Sequence, residues 1–135
     1  MADYHMQFSE CINRLNASEL HWWKLRVEKL QSDLENDADV DYPGEIVVDE
    51  GNRQVHLYSE SGGDPFATVK IVQEFLKFYR SKGHFSLTWA FTCDKPRIGE
   101  FGGGALFVTA DSIDEFDVTT WLRDRIREFQ KRIKK

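Results

Sequence analysis

The residues with the most chemical potential lie together in the stretch CDKPRIGEFGGGALFV, Cys93 to Val108. A thiol, two bases (Lys95, Arg97), two acids (Asp94, Glu100), a proline and four glycines separate two apolar runs. Glycine N–H groups can cradle a phosphate, but the known cradles follow a strand and open a helix. Here Gly102, Gly103 and Gly104 open onto ALFVTA, which reads as a strand, and no GK[ST] follows. A nucleophilic cysteine needs a base within hydrogen-bond reach. His84 shares a strand with Cys93 but lies nine residues away, about 30 Å at strand rise. His56 would have to be brought in from another strand. Cys93 also has the parity of Phe85, Leu87, Trp89 and Phe91, which predicts a buried, inert thiol. His5, His21, His56, His84, Cys11 and Cys93 are scattered without ligand-pair spacing, so no metal or cofactor is expected. What remains is a hairpin connection whose Lys95, Arg97, Glu100, Phe101, Gly102, Gly103 and Gly104 offer a contact surface.

The elements around this loop follow from periodicity. Met6–Asn16 is read as a short helical segment. In NASELHWWKLRVEKLQSDLEND, Leu20, Trp23, Val27, Leu30 and Leu34 make one helical stripe, with Asn16 or Ser18 as the cap. Adjacent Trp22 and Trp23 point about 100° apart, which leaves one for the core edge or for an interface between copies. EIVVDEGNRQVHLYSE reads as a hairpin turning at Gly51-Asn52. Asp64 and Pro65 open a second helix with Phe66, Val69, Val72, Phe75, Leu76 and Tyr79 on one face. HFSLTWAFTC alternates strictly, and GALFVTA is its partner strand. A last helix begins near Asp117, with Val118, Trp121, Leu122, Ile126, Phe129 and Ile133 along one side and Arg125 among them. The expected fold is α+β: a two-layer sandwich with a four-stranded mixed or antiparallel sheet, in the order α-β-β-α-β-β-α. The 135 residues suit one domain, with residues 1–16 and 130–135 at its periphery.

Composition narrows the function. Apolar residues are 41% and charged residues 30%, an ordinary balance for a globular chain. A net charge of −5 disfavours a general nucleic-acid binder. The charge is uneven. Glu28–Asp64 holds eleven acids against Lys29 and Arg53, whereas Trp121–Lys135 holds seven bases against Asp124 and Glu128. With two unpaired cysteines, no basic-apolar leader and no run long enough to span a bilayer, a cytoplasmic protein without membrane contact is expected.

FSLTWAFTCDKPRIGEFGGGALFVTAD resembles a motif, C-x-K-P-R-x-G-E-F-G-G-G-A, in an uncharacterised family of small proteins encoded by bacteriophages, prophages and plasmids. LYSESGGDPFATVKIVQEFL is similar to the same family's strand-then-helix segment, so the resemblance covers roughly residues 53–111. Asp94 stands where the family pattern has serine. The resemblance implies a mobile-element origin, a bacterial host cell and no defined activity.

Three readings follow. The favoured one is a non-enzymatic module that binds a host or phage protein, as an inhibitor of a host defence or nucleic-acid enzyme would, with Asp37, Asp39 and Asp41 imitating phosphates. The second is nucleic-acid binding through Arg123, Arg127, Lys131, Lys134 and Lys135, aided by Lys95 and Arg97. The third is an enzyme using His56, Cys93, Arg97 and Glu100 at the glycine loop. A homo-oligomer is compatible with all three.

Overall fold

The computed structural model describes residues 3–134. Nine elements follow one another: β1 (Tyr4–Ile12), α1 (Ala17–Asn36), β2 (Glu45–Asp49), β3 (Gln54–Ser59), α2 (Pro65–Tyr79), β4 (His84–Cys93), β5 (Gly102–Thr109), β6 (Ile113–Asp117) and α3 (Val118–Ile133). The sheet is six-stranded in the order β2-β3-β1-β4-β5-β6, and every neighbouring pair is antiparallel. Its first six elements make β-α-β-β-α-β with strand order 2-3-1-4, the double split βαβ of ferredoxin-like folds. β5 and β6 extend that unit beyond β4 as a meander.

The α+β class stands, but the four-strand count and the α-first order do not. Residues expected as a helix at 6–16 form β1, a central strand bonded on both sides, to β3 at Phe8–Ile12 and to β4 at Tyr4–Gln7. Phe8, Cys11, Ile12 and Leu15 sit at offsets 0, 3, 4 and 7, a helical spacing that pairing on two edges overrides. β6, sequence IDEFD, is also additional. Its acids have low β propensity, and it exists because β5 offers a free edge from Gly104 to Val108.

Local chemistry sets the helix starts. Asn16 accepts from the Glu19 N–H while Glu19 Oε1 accepts from the Asn16 N–H, both at 2.9 Å, a reciprocal capping box. Asp64 accepts from the Phe66 N–H, with Pro65 in the first turn. The β2–β3 turn differs from the two-residue expectation. Glu50–Arg53 forms the connection, Arg53 takes the left-handed conformation (φ 51°), and Asp49 Oδ1 accepts from the Asn52 N–H.

One sheet face carries the core. Val55 and Leu57, Phe85 and Leu87, and Leu106 and Val108 are buried there beneath α1 and α2. Trp22 and Trp23 both belong to this side. Trp23 is fully buried, Trp22 meets it edge-on at 5.0 Å, and both lie against Phe75. Glu19, 4% exposed, is held by Arg80 Nε at 2.7 Å and Nη2 at 3.1 Å, and the same guanidinium reaches the Arg14 carbonyl. The pair thus ties the α1 start and the β1–α1 turn to the end of α2.

The Arg80 hydrogen bonds hold the Glu19 carboxyl below its ordinary value of 4.5, against the upward pull of burial. A depressed carboxylate contributes stability that is full above its unfolded value and is lost as pH falls through the folded one. Stability should therefore begin to fall below pH 4.5. Arg80→Ala should cost about 3 kcal/mol at neutral pH by stranding Glu19 and should flatten that acid limb. Urea titrations of both proteins between neutral pH and strong acid check this; an acid limb of equal steepness in the variant would refute it.

Candidate contact surface: an exposed helix and an open sheet face

The glycine triplet lies inside β5. Gly102, Gly103 and Gly104 pair with Phe91, Ala90 and Trp89. A methyl group at Gly103 would stand 2.7 Å from the Trp89 carbonyl oxygen. One at Gly104 would collide with the Phe116 carbonyl and come within 2.9 Å of the Trp89 indole. The glycines thus let β4, β5 and β6 close under an indole, and they belong to the ladder rather than to a phosphate cradle. Lys95, Arg97 and Phe101 are exposed in the connection between β4 and β5, Glu100 is half-buried, and Ile98 at its tip is fully exposed. Gly99, at φ 78°, makes the bend that only glycine adopts readily.

The histidine and cysteine of the enzyme reading do not meet. Cys93 is on the core face, while His56 alternates with buried Val55 and Leu57 and so faces the other way. His56 Nε2 is 2.7 Å from Ser9 Oγ, and its ring stacks on Tyr58 at 4.6 Å. Cys11 donates to Asn13 Oδ1, and burial, then Glu10 and Asp49, push its thiol up from 9.0. Among the described residues, no group of three or more His, Cys, Asp or Glu side chains could hold a metal ion.

Sequence reasoning missed one polar line. His5 Nδ1 is 3.2 Å from Ser61 Oγ and its Nε2 is 2.5 Å from Asp94 Oδ1. These are the residue types of a nucleophile, a base and an orienting acid. Asp94 is half-exposed, however, and the Gly63 N–H that could serve an oxyanion is donated to Ser59 Oγ. With the Met6 N–H bonded to the Ser61 carbonyl, the line fastens the start of β1 to the β3–α2 and β4–β5 connections. The His5 hydrogen bond holds the Asp94 carboxyl below its usual value.

Asp37, Asp39 and Asp41 are exposed between α1 and β2, where Asp37 Oδ1 accepts the Asp39 N–H. That places them beside the β2 edge, at the far end of the strand order from β6 and α3. On α3, Asp117 caps the start through the N–H groups of Thr119 and Thr120. Arg123, Arg127, Lys131 and Lys134 are all exposed, and Lys135 lies outside the described residues. At 100° per residue, those four bases fall on the side opposite the apolar stripe.

The stripe is the decisive feature. Val118, Trp121, Leu122, Ile126, Phe129 and Ile133 are 39, 49, 49, 55, 61 and 65% exposed, and α3 buries no residue. The helix makes its main contacts with β5 and β6, where Thr119 lies beside Gly102. Next to it, the face of the sheet away from α1 and α2 is open. Ser86, Phe107 and Asp114 form one cross-strand row, and Thr88, Ala105 and Phe116 the next. They line a shallow groove of about 300 Å³, with Glu10 also among its lining residues, whereas the Glu115 side chain, opposite buried Leu106, faces the other side of the sheet.

The fold and surface together define an antiparallel ferredoxin-like sandwich, extended by a meander, that carries an uncovered amphipathic helix. No protein-family model matches the chain, and neither does any curated protein or solved structure. No helix among the described residues is long and apolar enough to cross a membrane.

The thiol geometry has a direct check. Alkylation of the folded protein at neutral pH should be slow at Cys11 and rise only above pH 9, while Cys93 should react only after unfolding. Mass spectrometry after iodoacetamide treatment reads both sites, and rapid labelling of Cys93 in the native protein would contradict its placement on the core face.

Proposed function

We propose that the chain is a non-enzymatic protein-binding module whose docking element is α3. The observation that supports this is the exposure of all six apolar side chains along that helix. A helix of 16 residues is only marginally stable in water by itself, and its apolar stripe normally marks the side that a groove receives. The exposed Ile98 and Phe101 add apolar contacts from the β4–β5 connection. Resemblance to mobile-element proteins makes a host or phage protein the class of partner, and inhibition of a host defence or nucleic-acid enzyme the role that such binding would serve. The acidic group Asp37, Asp39 and Asp41 is a second, separate surface for a basic partner, at the other end of the sheet.

The nucleic-acid reading draws on one specific observation, the row Arg123, Arg127, Lys131 and Lys134 on the back of α3. One experiment separates the two. Tagged protein is incubated with bacterial lysate, with and without nuclease, beside a Leu122→Glu/Ile126→Glu variant. The docking reading expects nuclease-resistant protein capture that falls about tenfold or more in the variant. Capture that disappears with nuclease, or that the variant retains in full, would overturn it.

A further inference from the structure

We propose that the first polypeptide received by α3 is a second copy of this chain, with the helix of each copy lying across the open sheet face of the other. This deepens the docking reading of α3 and rests on it. Three observations support it. First, the helix stripe and the Phe107 and Phe116 rings of the groove are apolar and uncovered in the same molecule. Six apolar side chains about half exposed, two of them aromatic, leave on the order of 600 Å² on one helix, most of what one partner contributes to a standard interface. Two such helices on two faces reach the size of a stable interface.

Second, the charges match between copies. None of the six strands contains a lysine or arginine, whereas they hold Glu10, Glu45, Asp49, Asp114, Glu115 and Asp117. The strands therefore put no lysine or arginine on the open face, and the groove between Phe107 and Phe116 has Asp114 in its cross-strand row and Glu10 among its lining residues. α3 is the complement. Arg125 lies within its apolar stripe and Arg132 beside it, so a docked helix turns two cations toward those two acids. The four bases on its back stay in water, where they oppose further stacking of copies. Arg125 is paired with Glu128 at 2.8 Å on the exposed helix, a bond it would exchange on docking.

Third, the helix does not reach its own groove. Its direction is set at Asp117, which is paired with Gly104 in the sheet and caps the first turn. No residue of α3 lines the groove of its own chain. Between two copies both caps survive, and a two-fold arrangement uses the same two surfaces twice and closes.

Sedimentation velocity of the full chain at micromolar concentration should give twice the 15.8 kDa chain mass. Leu122→Glu/Ile126→Glu, on the helix, and Phe107→Glu, on the receiving face, should each weaken the dimer about tenfold or more. Both changes are at exposed positions, and unchanged circular dichroism would show that the fold is intact. A monomeric wild-type protein would overturn the proposal. So would a dimer that survives Phe107→Glu, since the two helices would then be packing on each other. Monomeric protein floating with phosphatidylserine vesicles in a Leu122-dependent way would also overturn it, in favour of a lipid surface. A monomer that still captures another protein through α3 would defeat the dimer alone. Association that ignores every α3 change would defeat the docking reading as well.

Discussion

The structure depends on main-chain pairing along both edges of β1. β3 takes its Phe8–Ile12 half and β4 its Tyr4–Gln7 half. Without that strand, the β2–β3 hairpin and the β4–β5–β6 meander share no ladder, and the floor beneath α1 and α2 splits in two. The same strand carries Phe8 and Ile12 into the core and leads through Leu15, fully buried, into the capping box of α1. Its partners in β4 lie more than eighty residues away, so closing the sheet carries a large loop entropy. His5, bonded to Asp94 and near Ser61, and the Met6 N–H on the Ser61 carbonyl fasten its exposed start. These side chains resemble a catalytic line, but their geometry serves a strand whose loss would undo the fold.

Legibility in the sequence followed the strength of local signals. α1 and α2 could be read because caps, proline and stripe agree over 20 and 15 residues. β4 could be read because Phe85 to Cys93 alternate without a break. β1 was hidden because Phe8, Cys11, Ile12 and Leu15 fit a helical stripe as well as a strand does, and only two distant neighbours decide between them. β6 was hidden because an acidic pentapeptide becomes a strand only against a partner. The stripe on α3 was visible in the sequence, but its exposure was not: periodicity says which side is apolar and never what covers it.

The glycine-rich stretch shows how a conspicuous motif can be structural. Four glycines among charged residues suggest ligand chemistry, yet three of them sit in a ladder opposite Phe91, Ala90 and Trp89. The indole of Trp89 occupies the space that a side chain at Gly104 would need. Glycine in a strand gives up packing and gains close approach, and here the approach lets an aromatic ring cover the β4–β5–β6 end from which α3 departs. Strand register was the missing information, since the sequence names the glycines but not the residue across from each.

Charge then governs how such a sheet can associate. An antiparallel sheet with two free edges can grow by pairing edge to edge, and proteins commonly prevent this with charged residues. Here the edge strands carry acids alone: Glu45 and Asp49 on β2, and Asp114, Glu115 and Asp117 on β6. Two β6 edges would bring like charges together, as would β6 against β2, and like charges directly opposite each other are destabilising. Edge growth between copies is thus disfavoured in every combination at neutral pH. The bases that could relieve it are kept off the sheet, on helices and connections, and are densest on α3. A sheet built this way repels its own edges, so the proposed contact between copies falls to the open face, where a two-fold arrangement would close rather than propagate.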